Sequence, residues 1–194
     1  MKDIMLDLET LGTSPGSVVF AIAAVPFDFD KGVLPPAAVE GMPEAGNFYR
    51  LIDPIRSAWV YGLERDTTTM EWWTRQPKAA QAQLDAALQN GDSLFPVLED
   101  FRAFLAPYDP TEVRIWGNGA AFDNVLLAEL YRRLKLDVPW KFYNDRCFRT
   151  LKNLYGAAVP AVRPDVPHHA LSDARAQAQW AVNIARHRHA AAGA

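Results

Sequence analysis

Cysteine is almost absent from this chain: Cys147 stands alone. No intrachain disulfide can form, and a reducing cytoplasm is the expected location, with the thiol itself read as buried and inert. A basic surplus is missing as well. Twenty Lys and Arg against 23 Asp and Glu leave a net charge of -3, which excludes a long nucleic-acid track gripped through phosphates but leaves room for a site holding only a few terminal nucleotides. Long apolar runs are also lacking. The longest, Val18–Val25, falls far short of the roughly 20 residues of a membrane helix. The start, Met-Lys-Asp-Ile-Met-Leu-Asp, puts acids where a signal peptide needs apolar residues, so no secretory leader and no membrane contact are expected. Internal repeats and low-complexity blocks are absent too.

What is present is an ordinary globular composition, 49% hydrophobic and 22% charged, which excludes a disordered or fibrous chain. At 194 residues the expectation is one well-buried domain spanning 1–194. Ile4–Leu8 and Ser17–Phe27 read as strands joined by a Gly-Thr-Ser-Pro-Gly turn, and Asn47–Ile52 as a third strand after a Pro- and Gly-rich excursion over Lys31–Gly46. The pattern then turns helical over Thr67–Arg75, Lys78–Leu88 and Leu94–Leu105, punctuated by Pro77, Pro96 and Pro107. Glu112–Trp116 reads as a strand leading through Gly117-Asn118-Gly119 into a helix with Phe122, Leu126, Leu127, Leu130 and Leu134 on one face. A last strand is expected near Trp140–Tyr143, then helices over Cys147–Tyr155 and Ala170–His189. Antiparallel strands first and strand-helix units later predict an α/β fold, a mixed sheet with helices on its faces.

The chemistry concentrates in carboxylates. Asp7 and Glu9, two apart where a strand gives way to a loop, project to one side, and like charges so placed repel unless a divalent cation sits between them. Two surface acids would look the same in sequence. Asp123, in the first turn of its helix, also suits a helix dipole, and Asp173 on the last helix could be a solvated acid. His168 and His169 change the weight of Asp173: histidine is the side chain suited to take a proton from a metal-bound water near neutral pH. Pro164 and Pro167 keep His168 outside regular helix. His187 and His189 are assigned to solvent.

Asp-Leu-Glu-Thr at 7 to 10, Asn-Gly-Ala-Ala-Phe-Asp at 118 to 123 and His-His-Ala-Leu-Ser-Asp at 168 to 173 together resemble the three motifs of the DEDD superfamily, the DnaQ-like 3'-5' exonucleases. The histidine five residues before the last Asp is similar to the DEDDh branch. Thr-Met-Glu-Trp-Trp-Thr-Arg-Gln-Pro at 69 to 77 and Arg-Cys-Phe-Arg-Thr at 146 to 150 resemble the subgroup of phage DexA-type exonucleases and bacterial exoribonucleases. Where some relatives carry an Asp, this chain has Cys147. The resemblance implies a ribonuclease H-like mixed five-stranded sheet, an antiparallel meander of three strands plus two parallel strands, flanked by helices. It also implies a two-metal-ion 3'-5' exonuclease acting on 3' ends of single-stranded DNA or RNA, or on short 3' overhangs, and releasing nucleoside 5'-monophosphates. Two cations, Mg2+ or Mn2+, about 4 Å apart, would be held by Asp7 between them, Glu9 and Asp173 on the first and Asp123 on the second. His168 would take the proton of the attacking water, with His169 in reserve. Many relatives pair as homodimers.

Substrate contacts follow from the same resemblance at Thr10, Leu11 and Gly12, with Leu11 against the last base. Trp72 and Trp73, about 100° apart on a helix, either place one ring inward and offer the other to a base or serve the core alone; Trp73 is the residue assigned to substrate. Arg146 and Arg149 could reach phosphates or be solvated. A catalytically silent nucleic-acid or protein-binding module on the same fold is the alternative, and a phosphatase with Asp7 as nucleophile would want a second Asp where Glu9 stands.

Overall fold

Strand β1 (Asp3–Thr10) is the axis about which the molecule is built. The structure is a computed structural model that describes residues 3–33 and 46–192. β2 (Val19–Asp28) runs antiparallel to β1, from Asp3 opposite Phe27 to Glu9 opposite Ala21. On the other side β5 (Arg114–Gly117) runs parallel to β1, and β6 (Asp145–Cys147) parallel to β5. The far edge of β2 is shared. β4 (Phe48–Leu51) pairs with Ala21–Ala24, and β3 (Gly32–Val33) pairs with Phe27 and Asp28. The mixed sheet of antiparallel and parallel strands is therefore as expected, with six strands instead of five. The additional one is the two-residue β3, at the start of the excursion expected over 31–46; residues 34–45 lie outside the described residues.

The central strands are covered on both faces, which is why they read as continuous apolar runs and not as alternation. Helix α7 (Ala170–Ala192) lies across β2 and β1, and both α7 and β2 are rich in buried alanine, which keeps the helix close to the sheet. Helix α4 (Leu94–Leu105) buries Leu94, Val97, Leu98, Phe101, Phe104 and Leu105, a stripe at helical spacing. Phe101 and Phe104 meet Phe48 of β4 edge-on and tilted, 5.1 and 5.6 Å between ring centres. Helices α2 (Thr67–Thr74), α3 (Lys78–Asn90), α5 (Asp123–Arg133) and α6 (Phe148–Tyr155) fall where periodicity puts them.

Two stretches differ from expectation. Helix α1 (Pro54–Tyr61) turns only a small, weakly apolar face inward, Pro54, Ser57, Ala58 and Tyr61, while Ile55, Trp59 and Val60 are exposed. Its signal is the start, where Asp53 accepts the N–H groups of Ile55 and Arg56 and Pro54 opens the first turn. The last strand is not Trp140–Tyr143 but Asp145–Cys147. Aromatic residues favour strands only when they can pack, and here Phe142 and Tyr143 are exposed, in a 3-10 turn over Phe142–Asn144. Trp140 is buried for another reason, its indole N–H donating to Asp145 Oδ1 at 2.8 Å.

Candidate active site

Asp7 and Glu9 occupy alternate positions on β1 and so share one face. β5 pairs with β1 only as far as Met5 opposite Trp116, so both acids lie beyond the last paired residue, where the sheet opens. Between Glu9 and Thr10 the register against β2 slips, an irregularity of the kind that re-aims side chains next to active sites. Asp173, in the first turn of α7, enters from above. One carboxylate oxygen from each of Asp7, Glu9 and Asp173 lies within 4.8 Å of the others.

Asp123 begins α5 and approaches the same strand from the β5 side. Its Oδ1 accepts the N–H of Leu8 at 3.3 Å. That approach depends on Gly117: a methyl group there would stand 2.9 Å from Asp123 Oδ2 and 2.5 Å from Asn124 Oδ1, closer than packed atoms allow. Asp123 is outside the group of three, yet its charge acts on both Asp7 and Glu9. Three of the acids are thus in mutual reach, and the fourth, bound to the Leu8 N–H, acts on two of them by its charge.

Electrostatics show what such crowding costs. Desolvation, then repulsion from Glu9, Asp123 and Asp173, pushes the Asp7 carboxyl well above the usual carboxylate range, against a single amide bond from Gln177. Desolvation and the charges of Asp173 and Asp123 push Glu9 up to about 8. Asp123 is raised by desolvation to about 7, although the Leu8 N–H and the Arg149 guanidinium favour its charged form. Asp173 is raised by desolvation and relieved in part by His168 and His169. A divalent cation would favour the charged form of these acids and offset their mutual repulsion, and the donors are hard carboxylate oxygens of the type that suits Mg2+ or Mn2+. The residues present therefore fit a divalent metal.

The two histidines sit on opposite sides of the loop before α7. His168 has left-handed backbone, φ 60°, and its ring meets Trp72 edge to face, 4.8 Å between centres. His169 stacks on Tyr49 at 5.1 Å, and its backbone N–H donates to Asp173 Oδ2 at 3.1 Å. His187 and His189 are exposed.

Of the four residues assigned to substrate, the structure brings two to the pocket. A cavity of about 380 Å³ beside the acids is lined by Leu8, Glu9, Thr10, Thr13, Trp72 and Trp73 among others. Leu11 is buried and lines a neighbouring cavity with Trp73 and Met70, and Gly12 packs on Ser17. Trp73, assigned to a base, is 3% exposed and donates its indole N–H to the Thr10 carbonyl at 2.9 Å; Trp72 is 40% exposed. The inward ring is thus Trp73 and the outward ring Trp72. The two arginines are engaged by backbone carbonyls, Arg149 by Asn118 at 2.7 Å and Arg146 by Tyr143 and Asp145.

Sequence reasoning missed Gln177, whose Nε2 donates to Asp7 Oδ1 at 2.8 Å. Its position one helical turn after Asp173 puts both side chains on the face of α7 that meets β1, and that spacing was the available signal. Tyr49, under His169, had none, because it comes from a different strand.

The family model of the 3'-5' exoribonuclease Rv2179c-like domain matches residues 2–185. An exodeoxyribonuclease of Enterobacteria phage T4 is 26% identical over 166 residues, covering 77% of this chain and 70% of its own length. E. coli exonuclease I, in its zinc-bound complex with single-stranded DNA, has the same fold with a TM-score of 0.66 at 13% identity; the match covers 97% of this chain and 41% of that one. The nuclease domain of 3'hExo, a DEDDh family member bound to rAMP, matches with a TM-score of 0.59 at 12% identity, covering 96% of this chain and 92% of that one.

Proposed function

For a chain that belongs to the family of the 3'-5' exoribonuclease Rv2179c-like domain, a nuclease family, we propose a metal-dependent hydrolysis of the 3'-terminal phosphodiester of single-stranded nucleic acid or of a short 3' overhang. Nucleoside 5'-monophosphates leave one at a time, from RNA or from DNA. The observation that carries this reading is the meeting of Asp7, Glu9 and Asp173 within 4.8 Å, with Asp123 close enough to raise two of them. A protein that only bound nucleic acid would gain nothing from so costly an arrangement of acids.

In this reading Asp7, Glu9 and Asp173 hold the divalent cations, Mg2+ or Mn2+, and Asp123 serves the second of two. When bound, the cations supply charge neutralisation at the phosphodiester and Lewis-acid activation. The chain's own residues do the rest. His168, whose ring meets Trp72 of the cavity lining, accepts the proton of the attacking water. Thr10 and the edge of Trp73 bound the cavity that receives the terminal nucleoside, and Gln177 orients Asp7 by its amide. Gly117 keeps the floor open so that Asp123 can approach.

The test is incubation of the protein with 3'- or 5'-labelled single-stranded DNA and RNA in Mn2+, Mg2+ or chelator. Laddering from the 3' end that chelator abolishes is expected, with Asp7→Ala folded and inactive. Binding without cleavage would reassign the chain to the silent module, and full activity in Asp7→Ala would remove the metal assignment.

A further inference from the structure

A contact chain leads from the acidic strand to the loop histidine. Trp73 is tied to β1 by its bond to the Thr10 carbonyl and wedged edge-on against Phe20 of β2 at 5.1 Å. Trp72 meets Trp73 edge to face at 5.1 Å. His168 in turn meets Trp72 at 4.8 Å, the planes at 83°, and Trp73 at 6.4 Å. Among the described residues no hydrogen bond reaches the His168 imidazole; beside the charge of Asp173, these ring contacts are what hold it. The backbone needs holding too: a histidine at φ 60° persists only where its surroundings impose it. On the far side of the loop Tyr49 stacks on His169, and Asp173 draws the backbone N–H groups of both histidines; on the near side the His168 ring rests on Trp72.

We propose that Trp72 is a positioning residue for His168: its exposed indole serves as the rest against which the imidazole is held over the acidic pocket, and not chiefly as a platform for a nucleobase. Edge-to-face packing of aromatic rings is directional, so it sets the tilt of the imidazole as well as its place. Trp72 also joins the histidine loop to the strand of metal ligands through one rigid element, α2, so that proton acceptor and acids keep a fixed relation. The inference rests on the proposed role of His168.

Turnover of a labelled single-stranded oligonucleotide in Mn2+ is measured for wild type, Trp72→Ala, Trp72→Phe, His168→Ala and the double variant Trp72→Ala/His168→Ala, with melting curves as a check on folding. Loss of a proton acceptor costs roughly 10²- to 10⁴-fold, and misplacing it costs a part of that. Trp72→Ala is expected to lower kcat about 10- to 100-fold with KM within about threefold, because a misplacement of about 1 Å suffices for such a loss. Trp72→Phe should recover most of it. In the His168→Ala background the tryptophan substitution should make no further difference, since coupled residues are non-additive. A rise in KM at unchanged kcat, or a loss that multiplies that of His168→Ala, would overturn the inference and return Trp72 to base stacking. Wild-type kcat in His168→Ala would overturn the role of the histidine and this inference with it.

Discussion

Asp3, at one end of β1, and Asp7 with Glu9, at the other, sit on the same face of the same strand and meet opposite fates. Asp3 is 1% exposed, and desolvation raises its carboxyl, but the Arg114 guanidinium and the Trp116 indole N–H, the latter at 2.6 Å, both favour its charged form. Both partners come from β5, where Arg114 stands opposite Asp3 and Trp116 opposite Met5. At the far end β5 has already turned away. Asp7 and Glu9 find other carboxylates there, and one amide from Gln177. A buried acid with its partners built in belongs to the fold; buried acids whose neighbours are more acids are a demand for cations from outside.

The sharpest way to break this contrast is to remove one acid at each end. Asp7→Ala should lower turnover on single-stranded oligonucleotide by at least about 10³-fold, as loss of charge stabilisation at a reacting phosphate does, while the metal-free protein melts no lower than wild type because a repelled charge is gone. Asp3→Ala should do the reverse. Stranding Arg114 and the Trp116 N–H costs about 3–5 kcal/mol, a fall of roughly 6–20 °C in Tm for a chain of this size, with kcat per folded molecule within about threefold. Thermal melts and active-site-normalised kinetics on the two variants decide it. An Asp7→Ala protein that melts far below wild type would make Asp7 a structural residue like Asp3.

How much of this contrast was readable beforehand differs between the two ends. The acid-rich end is local in sequence. Asp7 and Glu9 lie two residues apart, and Asp123 and Asp173 sit in helix first turns beside motifs with their own composition, so residue types and spacing pointed to them. The structural end is not local: Asp3, Arg114 and Trp116 are joined only by the parallel register of β1 and β5, which no window of sequence contains. The same reason hid Tyr49 beneath His169 and the bond between Trp73 and Thr10. Strands misled where aromatic content stood in for packing, at Trp140–Tyr143, and helix α1 passed unread because its large apolar residues Ile55, Trp59 and Val60 face solvent while the inward face is mostly small. Buried strands and amphipathic helices were legible because one period governs all their residues.

A subtler break uses pH. A carboxyl whose pKa is higher in the folded state than in the unfolded chain binds protons more tightly when folded. Its contribution is therefore present at low pH and lost as pH rises through the folded value. For Glu9 the window runs from its ordinary 4.5 to about 8, and Asp7, Asp123 and Asp173 shift in the same direction. Metal-free protein should melt several degrees lower at pH 8 than at pH 6, by roughly 2–4 °C for each kcal/mol. Glu9→Gln, uncharged throughout, should show a smaller fall. Saturating Mn2+ should raise Tm more at pH 8 than at pH 6, because cations bind the deprotonated acids. Equal pH slopes in wild type and Glu9→Gln would mean that Glu9 is not crowded by the other acids.

The smallest effect belongs to a neutral donor at the acid-rich end. Gln177 is buried, gives Nε2 to Asp7 Oδ1 at 2.8 Å, and has no hydrogen-bond partner for its Oε1 among the described residues. It does for Asp7 weakly what Trp116 does for Asp3: one neutral N–H donor, without the guanidinium. Such a donor fixes the orientation of a ligand carboxylate and favours its charged form, and removing it from a metal site costs about 10-fold in affinity or activity at the low end. Gln177→Ala should therefore raise the Mn2+ concentration for half-maximal activity by about that factor while Tm shifts by only about 2–4 °C, the effect of about 1 kcal/mol. A metal titration of turnover separates this from a change in packing, since a packing defect would lower Tm and leave the Mn2+ requirement where it was. If that requirement does not move, Asp7 is oriented by β1 alone, and the contrast between the two ends of the strand is one of charge without a positioning partner.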